Sequence, residues 1–240
     1  MALMLWPVAH AEACSCGGTA PSSVAIRDAE VAFVGSVVRV DRAKLTSSSH
    51  GNADGTRTVT VTGGSGPHRV VFSVSSVFKG TTTEHATLLQ GSSTCDVWFK
   101  PGETWLVYAR AANGVFRTDK CQRTRLVSDA EQDLLYLRNT EAGHPQGIAH
   151  GDVFRRKDGP NGRVLSALSE PLQVRAQSAT AGNVTTTDRW GPFQLVLPPG
   201  DYQVWVERGG KVVSPRSAVR IEPGTDTMLR LVADYEDFER

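Results

Sequence analysis

The chain has 240 residues, with 26 Lys and Arg against 25 Asp and Glu, a formal net charge of +1. That length holds one large or two modest domains, and the charge balance offers no concentrated basic face for nucleic acid. Beyond the first residues no segment approaches the run of about 18 apolar residues that a membrane helix needs, so a soluble mature chain is expected.

Residues 2–11 (ALMLWPVAHA) are small and apolar, and two overlapping A-x-A patterns follow, Ala9-His10-Ala11 and Ala11-Glu12-Ala13. A short apolar run ending in small residues is a secretion signal, not a membrane span. Residues 1–13 are therefore read as a leader, which places the mature protein outside the cytoplasm: secreted, periplasmic or at the cell surface. Cleavage after Ala13 exposes Cys14 with a free α-amine, one residue from Cys16. That amine and the Cys14 carbonyl could grip a metal as a five-membered chelate. Cleavage after Ala11 would leave the same nitrogen in a peptide bond.

The cysteines are Cys14, Cys16, Cys95 and Cys121. An even count behind a signal peptide implies disulfides. Joining Cys14 to Cys16 would strain a one-residue spacer. The arm is then tied to Cys95 and Cys121, in one of two ways. Each bridge closes a loop of roughly 80–105 residues, for which the chain-entropy model gives about 4.5 kcal/mol. A structural zinc site is the main rival, but it wants paired C-x₂-C knuckles or Cys/His clusters. A lipid anchor on Cys14 is a third reading; it wants Leu or a similar residue where Ala11 stands.

Along the chain, Ser22 and Ser23 are candidate N-caps of a short helix within residues 20–29. β-type runs follow at 31–40 (VAFVGSVVRV), 69–78 (RVVFSVSSVF), 86–89, 104–109 (TWLVYA) and 115–118, each bounded by turn or charged residues. Residues 43–68 read as a long loop or hairpin extension, with strand at 58–62. Ser128-Asp129-Ala130-Glu131 has the form of a capping box, and Ala130, Leu134 and Leu137 give the following helix an apolar stripe. Residues 139–148 (NTEAGHPQGI) lack periodicity and read as a linker. From Ala149 to Ala233 the pattern is β: 151–155, 172–177, 184–188, 193–197, 202–207, 218–222 and 227–232. Seven short strands with Pro/Gly turns predict a β-sandwich. Residues 234–240 form an acidic tail.

The first domain, residues 14–138, resembles the netrin-like N-terminal domain of the tissue inhibitors of metalloproteinases. The matching residues run in order: Cys14-Ser15-Cys16, Ala32-Phe33-Val34-Gly35, Val77-Phe78-Lys79-Gly80, Ser93-Thr94-Cys95, Trp105-Leu106-Val107-Tyr108-Ala109, Cys121, and the helix through Leu134. The resemblance implies a five-stranded OB-type barrel with flanking helices and the pairings Cys14–Cys95 and Cys16–Cys121. It further implies inhibition of a zinc metalloproteinase. Cys14 would chelate the enzyme's metal, Ser15 would enter the S1′ pocket, and Cys16, Ser93 and Thr94 would contact the enzyme. The second domain, 149–233, resembles the prealbumin-like regulatory modules found beside carboxypeptidases, through Gly151-Asp152-Val153, Pro171-Leu172-Gln173-Val174, Thr187–Phe193 and Leu197–Tyr202. Trp190 and Trp205 there are candidates for stacking on a sugar, with strand-face packing the plainer reading.

No H-E-x-x-H, paired carboxylates or nucleophile elbow stands out, and Gly63-Gly64-Ser65-Gly66 reads as loop. No enzyme and no cofactor are expected. The expected architecture is mainly β, a barrel followed by a sandwich. The expected function is metalloendopeptidase inhibition. The alternative is an extracellular binding or structural module, with a cell-surface protein or glycan as partner of the second domain.

Overall fold

The computed structural model describes residues 16, 20–41, 46–51, 57–62, 68–80, 84–91, 93–112, 115–159, 162–166, 168, 170–180, 182–187 and 191–234. Residues 1–13, read as a leader, lie outside them, as do Cys14, Ser15, Gly63–Gly66, Trp190 and residues 235–240. Among the described residues no helix is long and apolar enough to cross a membrane.

The first half begins with α1 (Ser22–Asp28), β1 (Val31–Asp41), β2 (Thr46–Gly51), β3 (Arg57–Thr62) and β4 (His68–Lys79). It continues with β5 (His85–Gln90), β6 (Thr104–Ala112), β7 (Val115–Arg117), β8 (Arg125–Leu126) and α2 (Glu131–Glu141). Strands β1, β4, β5, β7 and β6 pair in that order, and β6 pairs back onto β1. The circuit is a closed five-stranded barrel, antiparallel except where β5 meets β7. β1 closes it because it bends. Its register against β4 shifts between Ala32 and Phe33, between Val34 and Gly35, and between Val37 and Arg39. Such bulges raise local twist and curl a sheet toward closure. β2 and β3 pair with each other as a hairpin, the extension expected between β1 and β4.

The apolar run at the start of β1 is continuous because both its faces are covered. Val31, Phe33 and Val37 enter the barrel core with Val70, Phe72, Leu88 and Val107. There Phe33, Phe72, Phe99 and Trp105 stack edge to face, with centroids 5.6, 5.2 and 4.8 Å apart, the arrangement ring quadrupoles favour. Ala32 faces outward onto Ala25, Leu134 and Leu137 of the two helices and onto Ala29, which follows the first. Lys79 holds α1 from its C-terminal end, donating from Nζ to the Ile26 and Arg27 carbonyls at 2.8 and 2.7 Å. Gly80 follows at φ 76°, where a Cβ would sit 2.6 Å from the Glu30 carbonyl oxygen.

Two expected caps are not made. Pro21 is the N-cap of α1 and no side chain caps it; the Ser22 hydroxyl donates to Asp133 instead. α2 starts after a 3₁₀ turn, Val127–Asp129, with Ala130 as N-cap, and the Ser128 hydroxyl donates to Asp129. The stripe of Ala130, Leu134 and Leu137 is buried as its spacing predicts. Helix α2 runs on through residues 139–141, and Gly143 at φ 72° follows its end, the left-handed turn that stops helices.

The second half comprises β9 (Gly147–Gly159), β10 (Gly162–Ser166), β11 (Gln173–Gln177), β12 (Gly182–Thr186) and β13 (Pro192–Leu197). β14 (Gly200–Arg208), β15 (Lys211–Val212), β16 (Ser217–Ile221) and β17 (Asp226–Asp234) complete it. One sheet has β9 at its centre, flanked by β17 and by β13 and β10; the other runs β12-β11-β14, with β15 and β16 on β14. Their facing side chains, including Val153, Val174, Leu195, Val204 and Leu231, form one core. The expected sandwich is present, with β10 and β15 added to the seven expected strands. β17 lies parallel to β9 along nine residue pairs. Gly151 permits that approach: its φ is 151° and a Cβ would fall 1.8 Å from the Leu229 carbonyl oxygen.

Candidate functional site

The sequence-predicted contact residues that are described converge on one edge of the barrel. Cys121 lies in a 3₁₀ turn, Lys120–Gln122, whose N-cap Asp119 accepts from the Cys121 and Gln122 N–H groups at 2.8 and 3.0 Å. Cys16 is disulfide-bonded to Cys121 across 105 residues, with Cα atoms 5.4 Å apart. Cys95 is also disulfide-bonded.

The ridge Ser93–Cys95 is a turn built on Asp96. One Asp96 oxygen accepts from the Ser93 N–H and hydroxyl at 2.6 and 2.7 Å, and the other from the Gly91 N–H at 3.1 Å. The Ser93 oxygen accepts in turn from the Cys95 N–H at 3.3 Å. The ridge is clasped to the Cys121 turn through Lys120. Its N–H donates to the Cys95 carbonyl at 2.9 Å, and its Nζ to the Thr94 carbonyl at 2.8 Å. Ser93 and Thr94 point outward and are exposed. Trp98, just beyond, is 57% exposed.

The arm is also held from beneath. Arg123 adopts φ 67°, a left-handed conformation uncommon for a side-chain-bearing residue. Its guanidinium donates from Nη1 to the Ala20 carbonyl at 2.7 Å. Nε donates to Asp133 Oδ1, and Nη2 to Oδ2 at 3.2 Å. Asp133, 1% exposed, also accepts from the Ser22 hydroxyl at 2.9 Å and the Tyr108 hydroxyl at 3.3 Å. Burial, and then the Asp133 charge, push the Tyr108 phenol well above its ordinary pKa, so it remains a donor. The chain is therefore held at Cys16 and again at Ala20.

This cluster extends to the sandwich. Gln194 on β13 accepts from the Ser22 N–H at 2.9 Å and donates to the Ser22 hydroxyl at 2.6 Å. Gln132 accepts from the Val196 N–H at 2.8 Å, and the Ser23 hydroxyl donates to Asp226 at 2.6 Å. Sequence reasoning missed Gln132, Asp133, Gln194 and Asp226, and read Ser22 and Ser23 as helix caps. A signal was there: Gln132 and Asp133 sit among Ala130, Leu134 and Leu137, polar side chains within a buried turn.

Trp205 is not free to stack on a sugar. It is 5% exposed, its indole N–H donates to Glu207 at 2.8 Å, and Arg216 covers the ring at 4.3 Å. Among the described residues no group of three or more His, Cys, Asp or Glu is placed to hold a metal.

No family model matches the chain, and no curated protein matches it. Solved structures with some likeness include the Bacillus anthracis TIE protein, at 10% identity and TM-score 0.30, over 86% of this chain and 35% of that one. The chain thus spans about a third of that protein's length. GBS52, the minor pilin of Streptococcus agalactiae, gives 10% identity and TM-score 0.28 over 88% and 85% of the two chains. A fimbrial protein from Bacteroides ovatus gives 8% identity and TM-score 0.23 over 82% and 45%.

Proposed function

We propose that the protein is an extracellular, non-catalytic module that binds a protein partner at the barrel edge formed by its N-terminal arm, the Ser93–Cys95 ridge and the Cys121 turn. The observation that carries this reading is the clasp at Lys120. One residue bonds to both Thr94 and Cys95 while its neighbour Cys121 holds Cys16. A covalently fixed, hydrogen-bonded edge with exposed tips loses little entropy on binding. A chain that carries disulfides belongs in an oxidising compartment, in keeping with the leader expected at its N-terminus.

The test is a photo-crosslinking residue at Thr94, with a second at Arg220 on the sandwich as control. Applied to the extracellular fraction of the producing cells, Thr94 should yield one adduct that excess unlabelled protein displaces. Displaceable adducts at Arg220 and none at Thr94 would refute the edge.

A second reading, inhibition of a zinc metalloendopeptidase, is favoured by a specific observation. The ridge and the Cys16-bearing arm, which the family resemblance assigns to enzyme contact, are joined at this one edge. Cys14 would supply amine and carbonyl to the enzyme's open zinc position, Ser15 would fill S1′, and Ser93 and Thr94 would flank them. Inhibition of a zinc endopeptidase should then vanish when one residue is added ahead of Cys14. Equal inhibition by the extended protein would rule out chelation.

A further inference from the structure

A cleft of about 650 Å³ lies between barrel and sandwich. Lys120, Arg125 and Gln132 line it from the barrel; Gln173, Thr185 and Thr187 line it from the sandwich. At its barrel wall one carboxylate serves two guanidiniums. Arg123 takes Asp133 at bonding distance through two nitrogens. Arg125 reaches the same carboxylate only at 3.8 Å, and its Nε makes a long 3.4 Å bond to the Arg123 carbonyl. An arginine carries five N–H donors in a rigid fork. Among the described residues most of those of Arg125, whose side chain is 31% exposed, meet no acceptor at bonding distance. Burial and the adjacent Arg123 charge both disfavour its cation. Asp129 and Glu131 also line the cleft, and neither forms an ion pair with Arg125. Lys120 joins the cleft to the ridge, since it lines the one and bonds to the other.

We propose that this cleft receives a carboxylate from an acidic segment of the protein partner, which pairs with the open side of the Arg125 fork. The inference rests on the reading of the arm-and-ridge edge as a protein-binding surface. A planar carboxylate accepts two parallel N–H bonds from a guanidinium, which the remote Asp133 oxygen cannot do. The volume suits a short stretch of chain. The amide of Gln173 and the hydroxyl of Thr185 suit peptide N–H and C=O groups. The bonds of Gln194 and Gln132 across the domains hold both walls in place before a ligand arrives.

The probe is the blocked peptide acetyl-Gly-Glu-Gly-amide, titrated into the full chain while the backbone amide signals of the cleft residues Gln132 and Gln173 are followed by NMR. A saturable shift is expected. The Gln counterpart of the peptide should bind at least about tenfold more weakly. Arg125→Gln should abolish the response while amide signals remote from the cleft stay in place, and Arg125→Lys should weaken it severalfold. No saturable shift, equal binding of the Glu and Gln peptides, or undiminished binding by Arg125→Gln would overturn the proposal. So would tighter binding of a glucuronate oligosaccharide, which would make the cleft a glycan site. Because the peptide reports on the cleft alone, its failure alongside successful Thr94 crosslinking would remove only this inference.

Discussion

Gln194 and Ser22 lie 172 residues apart and exchange two hydrogen bonds, Ser22 N–H to Oε1 at 2.9 Å and Nε2–H to the Ser22 hydroxyl at 2.6 Å. The same hydroxyl donates to Asp133, so a side chain of the sandwich reaches the ionic cluster of the barrel through one serine. Gln194→Leu should cost about 1–3 kcal/mol, because it leaves the buried Ser22 N–H unpaired. In a double-mutant cycle with Ser22→Ala, urea titrations should give a coupling of about 0.5–3 kcal/mol. Strict additivity would mean that the bonds do not couple barrel and sandwich.

Asp133 and Arg123 carry a heavier consequence. Their side chains are 1% and 6% exposed, and removing one leaves the other charge buried without its partner. Asp133→Ala should lower stability by about 3–5 kcal/mol. The exposed pair of Arg110 and Asp28, at 3.4 Å, provides the contrast: Arg110→Ala should change stability by less than about 1 kcal/mol. Equilibrium denaturation of the two variants checks both figures.

The arrangement of this seam was only partly legible in the sequence. Alternating and continuous apolar runs marked the barrel and sandwich strands, because a half-covered or fully covered sheet imposes those patterns directly. Ser22 and Ser128 read as helix caps because a serine ahead of a helix ordinarily serves its own backbone. Here the Ser22 hydroxyl is recruited by Asp133 and Gln194, both remote in sequence. β10 and β15 went unread because each exists by pairing with a neighbour, β9 and β14, without an alternation of its own. Ser93, Thr94 and Cys95 stood out by motif, but their clasp to Lys120 did not, since a lysine in a polar turn carries no such mark.

His150 gives the seam a pH dependence. Burial pushes its pKa below the ordinary histidine value; Asp226 and Asp152 oppose that shift and Arg123 adds to it. The folded state then prefers the neutral ring. Between the lowered folded value and the unfolded value near ~6.5 the unfolded chain binds more protons, so stability rises with pH there and falls on acidification. The contribution is fully present above the unfolded value. His150→Gln should reduce the loss in denaturation midpoint when the pH is lowered through this window. An unchanged pH profile would contradict the assignment.

The disulfide between Cys16 and Cys121 spans 105 residues, and its loss should cost about 2–5 kcal/mol. Cys16→Ser with Cys121→Ser should lower the thermal midpoint while keeping the strand signal in circular dichroism. It should also release the arm, seen as faster proteolysis ahead of Ala20. Arm cleavage at the wild-type rate would show that the Arg123 bond to Ala20 suffices to hold it.

The central claim, that the arm-and-ridge edge is the binding surface, is tested most directly by hydrogen exchange of the protein free and in the adduct captured through Thr94. Binding at this edge should slow exchange across residues 93–96 and 119–123 and leave residues 216–221 of the sandwich unchanged. Protection confined to residues 216–221, with 93–96 and 119–123 exchanging as in the free protein, would contradict the account.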